Sequence, residues 1–271
     1  MEPKTMNFLT SLFNLLFNRK PPMPYPLKDV PYGSDPKQTM DVYIPKSGKG
    51  PWPILVMVHG GGWRDGDKAM SNVVDNKLAY WGKRFILVFV NYRLDGVTPL
   101  EQAADVWNAC EEAAWQAHTW GGDQGRLIVM GHSAGAHLVS LLNTRDVLAA
   151  SGVIALDTAA YNVPEIMNGP HPPLYDEAFG TDKALWIDAS PTLQLTGKIP
   201  PMLLVARSAQ NDGSPTEDMR QAKAFQRKAL SFGSDVSIYG TDLNHGAINA
   251  DLGLPGVYTD TVDAFIGKVL Q

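Results

Sequence analysis

The 271-residue chain is expected to fold as an α/β protein: a mostly parallel, doubly wound sheet with helices on both faces and a small cap insert. Three observations predict this. Short continuous apolar runs alternate with helical runs from residue 38 onward, the βαβ rhythm of a sheet buried on both faces. Glycine-rich turns follow directly on two of those runs. No repeat, low-complexity linker or composition break divides the chain, which favours one domain over residues 25–271 rather than two small ones.

The elements follow in order. Gln38 to Ile44 reads as an early antiparallel strand. Residues 54–58, 85–90, 127–130, 153–156, 202–206 and 236–239 are short and apolar throughout, so they read as buried strands. Helical runs lie between them: Ala69 to Gly82, Pro99 to Thr119, Ala134 to Asn143, Pro215 to Phe232 and Tyr258 to Leu270. The interval Asp157 to Pro200 breaks the alternation. It is rich in proline, glycine and aromatics, including Tyr161, Tyr175, Phe179 and Trp186, and reads as a modest cap. Its side chains either form a substrate pocket or pack as an ordinary connection.

Residues 1–24 stand apart. Phe8-Leu9, Leu12-Phe13 and Leu15-Leu16-Phe17 recur at helical spacing, but polar residues interrupt them and the stretch is too short to span a membrane. Three readings stay open: an amphipathic helix over the domain or its active-site mouth, a membrane-surface anchor through residues 1–20, or a weak export signal. Pro21 to Pro26 reads as a stiff extended connector.

Composition narrows the function. The net charge of −5 and the lack of a basic run beyond Arg19-Lys20 argue against a nucleic-acid partner. A lone cysteine, Cys110, excludes an internal disulfide framework and a cysteine-rich metal site. This suits the cytoplasm without excluding a secreted or periplasmic location. No metal-ligand spacing is present, and no cofactor is expected. The oligomeric state is not legible.

Two motifs carry chemistry. Gly131-His132-Ser133-Ala134-Gly135 lies between the apolar run Leu127 to Met130 and the helical run from Ala136. Strand, Gly-x-Ser-x-Gly, helix is the context of a nucleophile elbow. The turn is sharp, so the serine is strained and the flanking glycines let strand and helix approach. The second motif, His59-Gly60-Gly61-Gly62-Trp63, follows the apolar run Ile54 to Val58. Its glycines leave backbone N–H groups free to hold an oxyanion, each such donor worth about 3 kcal/mol of barrier. Gly61, Gly62 and Ala134 are the expected donors. Trp63 is a candidate pocket wall or a buried loop residue. A phosphate cradle fails on detail, because no Gly-Lys-Ser/Thr ending or Gly-x-Gly-x-x-Gly run is present.

With these residues the chain resembles the α/β-hydrolase family, most closely its His-Gly-Gly-Gly-Trp esterases: hormone-sensitive-lipase-like and feruloyl- or acetylxylan-esterase-like, with kynurenine formamidase as a cousin. Tyr32-Gly33-Ser34-Asp35, Met40 to Tyr43, Asn91 to Leu94, Trp120 to Asp123 and Asn244-His245-Gly246 extend the resemblance over roughly residues 25 to 270. It implies a serine carboxylesterase acting through an acyl-enzyme on a small-molecule ester. The alternatives are an arylformamidase and a non-catalytic ligand-binding protein on the same scaffold. The resemblance also suggests an ion pair between Arg93 and Asp105.

Six histidines compete for the role of base. His245 follows a strand-like run in a turn-rich loop before the last helix, where the family places its base. His132 is expected to point away, His137 to pack in the core, His59 to support the oxyanion loop, His118 to be solvated and His171 to rim the pocket. The acid is expected in the loop after Met202 to Ala206, where Asp212 is the one carboxylate before the helix. Arg207-Ser208 stands there in place of the family's His-Gly, and the spacing to Pro215 points to Asn211. Glu217 and Asp218 are next, although acids in a helix's first turn also complement its dipole.

Overall fold

The computed structural model describes residues 26–208, 214 and 216–271. The N-terminal segment 1–24, Asn211 and Asp212 lie outside the described residues.

In chain order the elements are β1 (Leu27–Pro31), β2 (Thr39–Tyr43), β3 (Trp52–Val58), α1 (Ser71–Trp81), β4 (Ile86–Val90), α2 (Pro99–Trp120), β5 (Gly122–His132), α3 (Ala134–Thr144), β6 (Gly152–Leu156), α4 (Val163–Met167), α5 (Pro173–Phe179), α6 (Lys183–Asp188), α7 (Pro191–Gln194), β7 (Met202–Arg207), α8 (Glu217–Ser231), β8 (Val236–Thr241), α9 (His245–Ala250) and α10 (Val257–Val269). The eight strands form one sheet in the order β1-β2-β4-β3-β5-β6-β7-β8. β1 and β2 pair antiparallel, as does β2 with β4, and the other pairings are parallel.

The strands expected as uninterrupted apolar runs are buried on both faces, and the pleat sorts their residues. Val56, Val58, Val88, Val90, Val129 and Leu204 face α2, α3 and α8. Leu55, Met57, Leu87, Phe89, Met130 and Val205 face α1 and α10. β1 escaped the sequence reading because Leu-Lys-Asp-Val-Pro is a short edge strand that buries little. α2 begins and ends as its sequence dictates. Thr98 and Glu101 form a reciprocal capping box, Pro99 opens the first turn, and Gly121 closes the helix at φ 74°.

Two topological facts place the site. The chain leaves β3 for β4 on one side, while β5 lies on its other side. The carboxyl ends of β3 and β5 therefore meet at a switch point, with Val58 in register with Gly131. The loops after both strands open at that crevice. The interval after β6 carries four short helices, α4 to α7. Tyr161 and Phe179 are fully buried there, so much of the insert is core packing, while Leu174 and Tyr175 reach the crevice.

Candidate active site

Ser133 occupies the turn between β5 and α3 at φ 54°, ψ −119°. A non-glycine residue there carries roughly 1–3 kcal/mol of strain. The surroundings hold it in place: its N–H donates to Leu156 O at 2.8 Å. Gly135 has no alternative, because a Cβ there would lie 2.5 Å from the carbonyl oxygens of Val58 and His59. A Cβ on Gly131 would lie 2.3 Å from Gly135 O. The motif glycines are thus demanded by backbone packing on both sides of the serine.

His245 opens α9, whose N-cap Asn244 accepts the Ala247 N–H at 2.9 Å. The cap fixes the helix start and so the imidazole. Ser133 Oγ donates to His245 Nε2 at 3.0 Å. On the other side of the ring, Nδ1 donates to Asp157 Oδ2 at 2.6 Å. Serine and histidine thus meet as the sequence led one to expect. Among the described residues the carboxylate on His245 is Asp157, at the end of β6, a residue the sequence reading did not single out as the acid; the expected Asp212 lies outside the described residues. Glu217 pairs with Arg220 instead.

Asp157 is fully buried, with φ 53°; three donors meet its carboxylate, and its own backbone N–H donates. Its N–H donates to Val205 O at 2.8 Å. Oδ1 accepts the Arg207 N–H at 3.1 Å, and Oδ2 accepts Arg207 Nε at 2.8 Å as well as His245. Burial alone would raise its pKa, but the His245 hydrogen bond and the Arg207 charge outweigh burial and hold it below the ordinary carboxylate range. Asp218, on the first turn of α8, takes the other arm of Arg207. Burial, reinforced by the Asp157 charge, pushes its pKa up.

His132 was expected to point away, but it turns under the site. Its Nε2 donates to His245 O at 2.9 Å and its ring lies 4.6 Å from the His245 ring. Burial, helped by the neighbouring His245, lowers its pKa to about 3, so it is a neutral support. His137 is in the core, accepting Trp63 Nε1–H at 3.1 Å and donating to Ala189 O at 2.7 Å. Burial lowers its pKa to about 4. His59 donates Nδ1–H to Gly60 O at 2.7 Å and stacks on Tyr92 at 4.4 Å, a brace for the glycine loop. His171 hydrogen-bonds Asp176, and His118 hydrogen-bonds Trp115 O.

Gly61, Gly62 and Trp63 adopt φ 120°, 58° and 63° in succession, curling the loop over the serine. A Cβ on Gly61 would lie 2.0 Å from Asp65 O. Ala134 is the first residue of α3, where an N–H has no intrahelical acceptor. Gly61, Gly62, Ala134, Ser133, Asp157 and His245 all line one cavity of about 720 Å³. Trp63 lines it too, but its ring is 4% exposed and wedged against Tyr175 and Phe179. Both expectations for Trp63, wall and buried anchor, hold together.

The fold as a whole is shared with solved structures. Esterase 2 of Thermogutta terrifontis, solved phosphonylated by sarin, superposes with a TM-score of 0.73 at 19% identity, covering 93% of this chain and 98% of that one. The chain has the α/β-hydrolase fold. The BD-FAE family model matches residues 40–162, a stretch that holds the glycine loop, the serine and Asp157. A probable isoprenylcysteine α-carbonyl methylesterase of Arabidopsis thaliana is 30% identical over 135 residues, 48% of this chain and 27% of that protein. A kynurenine formamidase of Danio rerio is 30% identical over 122 residues, 44% of this chain and 39% of that protein. The chain thus spans well under half the length of these relatives. No helix among the described residues is long and apolar enough to cross a membrane.

Arg93 and Asp105 do pair, at 2.7 and 2.8 Å, with Gln38 Nε2 also donating to Asp105 at 2.7 Å. Neither lines the catalytic cavity, so the pair braces the fold.

Proposed function

We propose that the protein is a serine carboxylesterase in which Ser133 is the nucleophile, His245 the base and Asp157 the acid. The observation that carries this is the continuous chain from Ser133 Oγ through His245 to buried Asp157, opening on a cavity beside the glycine loop. His245 Nε2 takes the hydroxyl proton as Ser133 Oγ attacks the ester carbonyl. Asp157 holds Nδ1–H and stabilises the imidazolium. The carbonyl oxygen, now negative, is met by the N–H groups of Gly61, Gly62 and Ala134. Collapse expels the alcohol, which receives its proton from His245. Water, deprotonated by His245, then attacks the acyl-enzyme, and collapse of the second intermediate releases the acid and restores Ser133–OH.

The arylformamidase reading has one observation in its favour, the identity with a kynurenine formamidase. The same three residues would serve it. Gly62 argues for the ester: a third glycine leaves the loop open where that relative's group often carries a bulkier residue.

The test is turnover of p-nitrophenyl esters from acetate to palmitate, with methyl ferulate and N-formylkynurenine alongside, by wild type, Ser133→Ala, Asp157→Asn and Asp212→Asn. Ser133→Ala is expected to lose nearly all turnover. Asp157→Asn should lose about 10³–10⁴-fold, the scale for a triad acid that sets the histidine tautomer, while Asp212→Asn stays close to wild type. The reverse ranking of the two aspartates would move the acid to 212. Preference for N-formylkynurenine over every ester would replace the esterase.

A further inference from the structure

We propose that Arg207 and Asp218 are a positioning pair for the catalytic acid: Arg207 fixes Asp157, and Asp218 offsets the Arg207 charge so that the full negative field of Asp157 reaches His245. The proposal rests on the triad reading above.

The geometry is specific. Arg207 holds Asp157 twice, by its backbone N–H on Oδ1 and by Nε on Oδ2, the oxygen that also accepts from His245. Asp157 therefore cannot rotate without breaking two bonds to one residue. A cation this close has a cost for catalysis. It competes with the imidazolium for the same carboxylate and disfavours the charge that develops on His245 as Ser133 attacks. Nη2 of Arg207, however, is bonded to Asp218. With Asp218 ionised the pair is neutral overall, and it orients Asp157 without weakening it.

The chain commits further contacts to this arrangement. Thr216 caps α8 by accepting the Met219 N–H at 3.1 Å, and its hydroxyl donates back to Arg207 O at 2.6 Å. That bond ties the helix carrying Asp218 to the strand end carrying Arg207. Both side chains line the catalytic cavity. Among the described residues, the other titratable groups around Asp157 and His245 are His132 on β5, Tyr161 after β6, Tyr175 on α5 and Tyr258 on α10, with Lys77 on α1 acting through His132. All of these stay in place in the variants below, so their titrations cancel between proteins.

The experiment is a pair of titrations on the full chain: His245 imidazole by NMR, and the acid limb of kcat/KM, for wild type, Arg207→Gln, Asp218→Asn, the double variant and Arg207→Lys. Asp218→Asn leaves Arg207 uncompensated and should lower the His245 midpoint by about one pH unit, the order of shift that an unbalanced nearby charge produces. Arg207→Gln should raise it and reduce kcat roughly ten- to a hundredfold, since a misplaced reacting group costs on this order. The double variant should return the midpoint toward wild type. Arg207→Lys should restore the midpoint but not kcat, because an ammonium carries the charge without the planar fork. Midpoints unmoved in folded Arg207→Gln and Asp218→Asn would overturn the proposal, as would shifts of the same sign in both. If Arg207→Gln does not fold, the direction of the Asp218→Asn shift decides. If wild type turns over none of the esters, the esterase reading fails while the NMR arm still tests the pair.

Discussion

Lys77 is fully buried on α1, an unusual position for an ammonium, and that makes it the sharpest test of the physics of this fold. Its Nζ donates to Asn249 O at 2.8 Å and to Asn249 Oδ1 at 3.2 Å. Among the described residues no carboxylate pairs with it. Asn249 lies in the last turn of α9, the helix that His245 opens, where a cation meets otherwise unpaired carbonyls. Burial pushes the Lys77 pKa down from 10.5 to about 7. For a base with a depressed folded pKa, the unfolded chain binds the proton more tightly between pH 7 and 10.5. Stability therefore rises with pH through that window, at about 1.4 kcal/mol per pH unit for one proton. The full span corresponds to a penalty on the order of 5 kcal/mol below pH 7. Lys77→Met removes the titrating group and keeps most of its volume. We expect wild type to gain about 2 kcal/mol on Lys77→Met between pH 7.5 and 9.5, allowing for partial protonation at the lower end. Urea unfolding of both proteins at several pH values across that range measures it, and groups common to both cancel. A constant difference would refute the reasoning, since it would mean that the two Asn249 acceptors keep the ammonium charged throughout.

Three further outcomes follow from packing. Gly135→Ala drives a methyl against the backbone of β3 and should either prevent folding or cost more than about 3 kcal/mol with loss of turnover, whereas Gly121→Ala, with nothing within 4 Å of the added carbon, should cost only about 1–2 kcal/mol for its left-handed backbone. Equal melting temperatures for the two would contradict the close-approach account of the elbow. Arg93→Ala leaves Asp105 buried without its cation and should destabilise by about 3 kcal/mol, seen as a lower Tm; unchanged melting would sink the ion-pair reading. Thr98→Ala removes the α2 cap and should cost about 1 kcal/mol by chemical denaturation, and a loss below a few tenths would show the box to be idle.

The sequence by itself determined whatever depends on a few consecutive residues. Uninterrupted apolar runs such as Ile54 to Val58 name buried strands, because only a sheet covered on both faces needs side chains of one kind on both sides of the pleat. Gly131 to Gly135 points to Ser133 as the proposed nucleophile, because a turn that brings Gly135 against the β3 backbone is written in the spacing of its glycines. His59 to Trp63 declares its loop in the same way. The proposed triad acid is different in kind. Asp157 and His245 are 88 residues apart and meet only because β6 and β8 flank β7 in the sheet. No local pattern encodes that meeting, and Asp157 reads along the chain as the first residue of the cap. One signal was present: like His59 and Ser133, Asp157 stands just beyond the apolar core of a parallel strand, and Arg207-Ser208 displaced the expected pattern next door. The turn of His132 toward His245, and the contact of Arg207 with Asp218, are likewise decided by tertiary structure. A side chain's orientation and charge state depend on what the fold packs around it, and those neighbours come from strands and helices distant in the chain.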